Sequence, residues 1–563
     1  MIAEIKNAVA QAVECVRRKS NISSVPENLF VEVEIPKNRE FGDYSTNVAM
    51  ILARPLQKSP REVAAIIIDN LSQNHRALFK SIEIKGPGFI NFFVHEAVIT
   101  SKLADIYNSA ESFGRSTAGQ GKKVLLEFVS ANPTGALHMG HARNAAVGDA
   151  LARILRAVGY DVTTEYYIND AGRQVDMLGR SVFERYKESF GLDAHMPQDG
   201  YYGEYIKSIA GEIRSIKGDE LLSEGSDEKD SIRYCAGFAK QALLEQIKGE
   251  LEELGVGFDN WYSEEAELHS GDGADGISLK VKSVIGELED RGALYKKDGA
   301  LWFRATEYGD SQDWVLVKSD GTGTYFLNDI AYHGDKLGRG ALRLINIWGA
   351  DHHGHVKRLK SALKALGFED SMLEVVLIQF VRLMRDGVEV KMSKRAGSYV
   401  TMSEVVEEVG SDVARFFLLM RGTDSHLDFD LELAKRESAE NPVFYIQYAN
   451  ARIRSVFKKA EAAGISPSPD HLELLTLPLE IEITKKLLMF PDALRESAEL
   501  LSPHKIVFYL QDIASDFHVY YNKNRIIGDD HTLSQTRLFF AECIRAVVRN
   551  GLGLLGVSIP ERM

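Results

Sequence analysis

Two imidazoles three residues apart, His138 and His141, flank Gly140 in the run Ser130-Ala131-Asn132-Pro133-Thr134-Gly135-Ala136-Leu137-His138-Met139-Gly140-His141. An apolar stretch, Val124–Val129, precedes the run and a helical pattern follows it, which places the pair at a strand-to-helix junction. A helix N-terminus offers unpaired N–H groups and the positive end of the helix dipole, both suited to phosphate oxygens. Gly140 permits close backbone approach, and imidazoles donate hydrogen bonds to phosphate oxygens. A phosphorus centre under attack needs positioning and charge stabilisation more than covalent help. Far downstream, Lys391-Met392-Ser393-Lys394-Arg395 lies between Asp386-Gly387 and Ala396-Gly397, a composition suited to a flap over 386–397. Lys391 and Lys394 on such a flap would neutralise a triphosphate and its leaving pyrophosphate. Each motif alone has a plainer reading: two structural histidines, a metal pair without a third ligand nearby, or a solvated basic turn.

The elements that must carry these residues can be read along the chain. Residues 1–22 have the spacing of an amphipathic helix, followed by a strand at Phe30–Ile35, helices over 44–54 and 60–71, and strands at Ile82–Ile84 and Phe89–Val94. This is an α+β unit over 1–112, closed by the Ser/Gly-rich linker at 116–121. Strand Val124–Val129, helix 140–158 and strand Val162–Ile168 make a βαβ unit. Strand Leu342–Trp348, helix 356–366 and strand Leu373–Val381 make a second set. Together they predict an α/β fold, a doubly wound parallel sheet over 113–436 with the site at the strand C-termini. The acidic stretch over about 176–300 reads as a mostly helical insertion. From 437 to 563 the pattern is all helical, with Phe444–Ala462, Leu477–Leu488, Pro503–Asn522 and Thr536–Leu555 predicted as a bundle.

A chain of 563 residues is too long for one core, which predicts three or four domains. Its net charge of −14 is concentrated: residues 211–270 hold 15 acidic and 6 basic residues. A nucleic-acid partner is therefore not excluded, because phosphate contacts depend on local charge. Three scattered cysteines without a CxxC pair argue against a zinc ribbon or a disulfide framework and fit a reducing cytoplasm. No signal peptide or membrane span is expected.

The pair of motifs resembles the class I aminoacyl-tRNA synthetases, and the resemblance narrows to the arginyl-tRNA synthetases. It rests on Glu127–Gly135 leading into His138, on Tyr167-Ile168-Asn169-Asp170-Ala171-Gly172-Arg173-Gln174, on Gly349-Ala350-Asp351-His352-His353-Gly354-His355 and on Leu427-Asp428-Phe429-Asp430. Asn441–Ala449, the closing Val557–Met563, and the amino-terminal Asn38–Tyr44 and Gly86–Asn91 extend it over nearly the whole chain. Two positions depart from the class pattern: the flap ends in Arg395 rather than Ser, and Met139 fills the variable place of the first motif.

The resemblance implies ATP-dependent activation of L-arginine and its transfer to the terminal adenosine of tRNA(Arg). It implies catalytic His138, His141, Lys391 and Lys394, with ATP and its Mg2+ held by Gly135, His138, Gly140, His141 and Lys394. No tightly bound metal or organic cofactor is implied. A planar guanidinium calls for carboxylates in fork geometry, and the resemblance assigns Glu127, with Tyr325 and Asp329 four apart on a helix, to that task. Ser130 and Asn132 join the arginine site, Asn132 at the α-amino group. The bundle would read the anticodon by stacking and base contacts, with Tyr445, Tyr448, Tyr520 and Asn522 as candidates beside Tyr521, Lys523 and Arg525. The amino-terminal unit would touch the outer corner of the tRNA. A monomer in the cytoplasm, without membrane contact, completes the expectation. Another class I synthetase and a small-molecule nucleotidylyltransferase with the same loop are alternatives, beside a non-enzymatic tRNA-binding relative, which would lack His138, His141 or Lys394. The other synthetase would show a zinc site or a large editing insertion, and the nucleotidylyltransferase would need neither the bundle nor the amino-terminal unit.

Overall fold

The computed structural model describes residues 1–20, 31–36, 38–223, 226–269, 277–390 and 400–560. The amino-terminal unit holds α1 (Ile2–Ser20), β1 (Tyr44–Thr46), α2 (Val48–Ala53), α3 (Pro60–Asn74), β2 (Phe79–Lys85) and β3 (Phe89–Val94). Its antiparallel sheet runs β1-β3-β2. Ser59 and Glu62 form a capping box at the start of α3, with Pro60 in the first turn where its missing N–H costs nothing. The helix expected over 44–54 begins instead as β1. Gly42 explains the turn before it: at φ +90°, a Cβ there would lie 2.6 Å from the Phe92 carbonyl oxygen. In the described part of the strand expected at Phe30–Ile35, Glu34 makes a single bridge to Ser45.

The short helices α4 (Glu96–Ser101) and α5 (Leu103–Ser109) lead to the main sheet. In chain order come β4 (Lys123–Glu127), α6 (Met139–Ala157), β5 (Asp161–Ile168), α7 (Arg173–Ser189), α8 (Glu204–Lys217), α9 (Glu228–Glu253) and β6 (Asn260–Ser263). There follow α10 (Leu279–Asp290), β7 (Leu294–Lys297), β8 (Ala300–Phe303), β9 (Trp314–Val317), α11 (Tyr325–Gly338), β10 (Arg343–Gly349), α12 (His353–Ala365) and β11 (Leu373–Ile378). The sheet is wholly parallel in the order β11-β10-β4-β5-β6. Strand order reverses between β4 and β10, and in such sheets the crevice at that switch point takes the ligand.

The stretch read as a mostly helical insertion needs correction. α7, α8 and α9 are helical, but β6 is an edge strand of the main sheet, and β7-β8-β9 form a separate antiparallel sheet. The strand expected over Leu373–Val381 also divides. Arg143, fully buried, donates to the carbonyl oxygens of Gln379 and Ser425 (2.9 Å each) and of Gly422 (2.8 Å). The chain leaves the main sheet at Gln379 and enters a second one of order β13-β12-β14, made by β12 (Val381–Arg385), β13 (Val388–Glu389) and β14 (Leu427–Asp430). Between these strands lie α13 (Met402–Val409) and α14 (Ser411–Leu419), and α15 (Leu431–Ala434) follows.

The carboxyl-terminal bundle holds α16 (Pro442–Ala462), α17 (Pro478–Leu488), α18 (Phe490–Glu499), α19 (His504–Lys523) and α20 (His531–Leu554). It shares one apolar core with the main sheet. Arg415 is the polar bolt between them: it donates to the Leu555 and Leu254 carbonyls (3.1 and 2.9 Å) and pairs with Asp149 of α6. Asp43 of the amino-terminal unit pairs with Lys485 of α17, and Ile481 of α17 joins that unit's core.

Candidate active site

A cleft of about 1200 Å³ opens at the C-terminal ends of β4 and β10. One end of it starts at His138, which is extended (φ −107°, ψ 172°) and caps α6. The His138 Nδ1 accepts from the Gly140 and His141 N–H groups (3.1 and 3.4 Å), and the His141 Nδ1 accepts from the His138 N–H (3.4 Å). The rings stack with centroids 3.7 Å apart. Because each Nδ1 is an acceptor, the proton of each neutral ring sits on Nε2. The helix N-terminus therefore meets the cleft through imidazole donors as much as through bare backbone N–H groups, a refinement of the expectation from sequence.

Three other elements hold this loop. The Leu137 N–H donates to Glu250 of α9 (2.8 Å), and Tyr205 of α8 donates its hydroxyl to the Thr134 carbonyl (2.7 Å). On the opposite side, the Met402 N–H donates to the Leu137 carbonyl (2.8 Å), and Thr401 bridges to His138. Burial holds the Glu250 carboxyl above the usual carboxylate range. Lys391 and Lys394 lie outside the described residues, but Val400–Met402, just after them, is anchored to the histidine loop. Gly135, expected at ATP, is not among the residues lining the cleft, whereas Gly140, His138 and His141 are.

At the other end the chain turns sharply after β4: Val129 and Ser130 have φ of +66° and +42°. Such values are uncommon for non-glycine residues and mark a constrained site. The turn is fixed by Asn144, which accepts from the Val129 N–H (2.8 Å) and donates to the Ile347 carbonyl (2.9 Å). It brings the Ser130 hydroxyl to Glu127 Oε1 (2.9 Å), while Glu127 Oε2 accepts from Lys336 Nζ (2.6 Å). Both Glu127 oxygens are thus already engaged. Asn132 donates to Gln174 (2.6 Å).

Across the cleft, Thr324 caps α11 and presents Tyr325, 65% exposed, one turn before Asp329. Asp329 accepts from His355 Nε2 (2.8 Å), and Arg358 donates to the Nδ1 of that ring. Arg358 in turn lies over the rings of Trp314 and Phe326 (4.5 and 4.7 Å). A further acid missed in the sequence, Glu264, lines the same end only 3% exposed, with Asn328 Nδ2 at 3.0 Å and His269 Nε2 at 3.1 Å. Its hydrogen bond and charge raise the His269 imidazole above its ordinary range. The signal that could have found Glu264 is its place directly after β6, at the C-terminal edge where sites of such sheets lie. Lys336 was also missed, because a lysine in a helical pattern reads as solvated.

The bundle divides the expected RNA-contacting residues. Tyr520 is fully buried, its hydroxyl donating to Glu480 (2.9 Å), so the expectation that it stacks on a base is corrected: it is a core residue of α19. Tyr445 is half-buried against His518, with ring centroids 4.3 Å apart. Tyr448 and Asn522 are exposed around Arg452, whose guanidinium lies over the rings of Tyr448 and Tyr521 (4.5 and 4.9 Å) and donates to Asn522 (3.3 Å). In the amino-terminal unit, Asn38, Glu40 and Phe41 are exposed, while Asp43 accepts from the Val94 N–H (2.8 Å) and serves packing.

Comparison with known proteins agrees with this geometry. Residues 102–424 match the family described as "tRNA synthetases class I (R), catalytic domain", residues 2–94 the "Arginyl tRNA synthetase N terminal domain", and residues 446–563 the "DALR anticodon binding domain". The chain is 47% identical over 536 residues to the arginine–tRNA ligase of Citrifermentans bemidjiense, covering 95% of each. It is 44% identical to that of Geobacillus kaustophilus over the full length of both. The Thermus thermophilus arginyl-tRNA synthetase, 22% identical, has the same fold, with a TM-score of 0.74 and full coverage of both chains. The βαβ catalytic sheet with its histidine loop, the amino-terminal unit and the helical bundle together place this chain in the class I arginyl-tRNA synthetase family.

Proposed function

We propose that the chain activates L-arginine with ATP and esterifies it to the terminal adenosine of tRNA(Arg), with the two ends of the cleft dividing the work. A carboxylate oxygen of arginine attacks the α-phosphorus of ATP, the bond to pyrophosphate breaks, and arginyl-adenylate forms. A ribose hydroxyl of the tRNA end then attacks the carbonyl carbon and AMP leaves. The observation that carries this reading is one cleft at the sheet's switch point with a stacked histidine pair at one end and buried acids at the other.

His138 and His141 donate Nε2–H to phosphate oxygens as charge builds, and Lys391 and Lys394 neutralise the leaving pyrophosphate. Mg2+ arrives with ATP, since it binds chiefly through substrate phosphates. Asp329, Glu264 and Tyr325 take the guanidinium, whose donor fork suits two acids and a phenol. Glu127, expected from sequence at the guanidinium, is read instead at the α-ammonium side, because it shares the turn after β4 with Ser130 and Asn132, which line the cleft with it. Tyr448, Arg452, Tyr521 and Asn522 form the platform for anticodon bases, stacking being the usual means of holding splayed bases. The functional units are 1–112, 113–436 and 437–563. The chain works as a monomer in the cytoplasm: its three cysteines are unpaired, as a reducing compartment requires, and no described helix is long and apolar enough to cross a membrane.

The test is pyrophosphate–ATP exchange with each amino acid in turn. Exchange is expected with arginine alone and only when cognate tRNA is present. Exchange with another amino acid, or in the absence of any, would sink the assignment.

A further inference from the structure

Lys336 is buried with no exposed side-chain surface, on the last full turn of α11, and it does not line the cleft. Its ammonium donates to Glu127 Oε2 (2.6 Å) and to Asn346 Oδ1 (3.2 Å) and sits 4.1 Å from the centre of the Tyr332 ring. Glu127 and Asn346 are cross-strand partners on β4 and β10. The chain of contacts continues: the Asn346 amide donates to His333 Nε2 (2.7 Å), and His333 Nδ1 donates to the backbone carbonyl of Asp329 (2.8 Å). A carbonyl only accepts, so His333 carries its proton on Nδ1 and is neutral. Burial, and then the Lys336 charge, hold it well below the ordinary imidazole range.

These contacts form one path from the half-buried Ser130 through the buried Glu127, Lys336, Asn346 and His333 to the backbone of the half-buried Asp329. One end of the path is the α-ammonium side of the cleft and the other is the guanidinium side. Asp329 and Lys336 are seven residues apart, two turns of one helix face and about 10 Å along its axis. α11 is further fastened to β5, because Glu165 accepts both Arg339 nitrogens (2.6 and 3.0 Å) and the Tyr332 hydroxyl (2.8 Å). A helix pinned at both points cannot slide along the sheet, since a buried cation or acid left without its partner is costly.

We propose that Lys336 is a positioning residue that sets the span between Glu127 and Asp329, and so selects the length of the substrate side chain. The proposal rests on the arginine-site reading above. Charge alone admits any amino acid with a guanidinium; a fixed span admits one number of methylenes. A site that merely cushions the alkyl chain discriminates one methylene weakly, whereas two polar anchors at fixed separation reject a longer or shorter analogue by leaving an anchor unpaired.

The test uses the full chain with cognate tRNA and three substrates sharing both polar ends: arginine, the analogue one methylene shorter, and homoarginine. The variant is Lys336→Met, which keeps the length and removes the charge. The ratio of kcat/KM for arginine over each analogue is expected to fall by about tenfold or more, while the KM for ATP stays within about twofold. Because Lys336→Met leaves Glu127 without its cation and with only the Ser130 hydroxyl, the double variant Lys336→Met/Glu127→Gln is measured beside it. Because Glu127→Gln weakens one anchor by itself, it is also measured alone as the control, and the change in the ratio between it and the double variant reports the span. An unchanged ratio in either folded Lys336 variant against its control, or KM values for ATP and arginine rising together, overturns the proposal. A double variant that also fails to fold overturns it too, by making the path a folding element. Asp329→Asn separates the two readings: if it leaves the KM for arginine unchanged, the arginine site itself is misplaced, whereas a raised KM with an unchanged length ratio removes only the role of Lys336.

Discussion

At the amino-acid end of the cleft, side chains are held by other side chains; at the phosphate end, imidazoles are held by backbone. Glu127 meets Lys336 and Ser130, the first contact buried and the second half-buried, and Asp329 meets His355 in a half-buried pair. His138 and His141 instead take backbone N–H groups of their own turn and stack on one another. The difference suits the ligands proposed for the two ends. A guanidinium and an ammonium at fixed separation reward rigid, pre-placed acids. A triphosphate changes charge and shape during the reaction, so donors on a loop with a neighbouring strand bridge at Thr401 serve it better.

The largest effect should come from the phosphate end. His138→Asn keeps a good helix cap, because an asparagine oxygen can accept the Gly140 and His141 N–H groups, but it removes the imidazole donor. The variant should fold with a Tm near that of the parent and lose about 10²- to 10³-fold in kcat, the usual cost of one transition-state donor. Steady-state exchange and a melting curve separate the two roles. A drop in Tm with little loss of kcat would make His138 a cap alone and erase the contrast between the ends.

At the other end the expected signature is in KM. Asp329→Asn exchanges a charged acceptor for a neutral amide, which costs about 1.5–3 kcal/mol, or roughly 10- to 150-fold in affinity for the guanidinium. The KM for arginine should rise by that factor and the KM for ATP should not. Aminoacylation at varied arginine and at varied ATP reads the split, and equal changes in both would take Asp329 out of the arginine site.

How much of this was legible in the chain depends on where each residue's partner lies in the sequence. His138, Gly140 and His141 carry their geometry locally, since a cap and its first turn are neighbours, and the strand–loop–helix pattern around them was plain. The helices of the bundle and the parallel sheet followed from periodicity for the same reason. Lys336 did not: its partners Glu127 and Asn346 are 209 and 10 residues away, and only the stacking of α11 on β4 and β10 turns a helical lysine into a buried one. Glu264 was hidden by composition, because its strand is four residues long and embedded in an acidic helical stretch. Tyr520 failed the other way. Aromatic residues near a basic turn suggest base stacking, but the helical face of Tyr520 points into the core, a matter fixed by packing with α17 and α20. Tyr448, on the exposed face of α16, shares the chemistry and differs only in which side of its helix it occupies.

The smallest predicted effect concerns Glu250, a buried acid that braces the histidine loop. Glu250 resembles Glu127 in burial but has neutral partners, the Leu137 N–H and the Gln246 amide (2.8 Å each). Its pKa in the folded chain lies above the unfolded value, mainly through burial. The folded state then binds more protons than the unfolded state across the interval between the two values. Stability from this group is therefore full below the unfolded carboxylate range and falls as pH rises through the folded value. Glu250→Gln keeps an oxygen for the Leu137 N–H and does not titrate. Its Tm should match or trail the parent at about pH 4.5 and exceed it at about pH 7.5, where the parent carries a buried charge that the amide does not. Because Leu137 immediately precedes His138, kcat should change by no more than about twofold, since the hydrogen bond that holds the loop is retained. A parent and variant whose melting curves stay parallel across that pH range would mean that the two neutral partners of Glu250 offset its burial in full, and the contrast in how the two ends hold their acids would be lost.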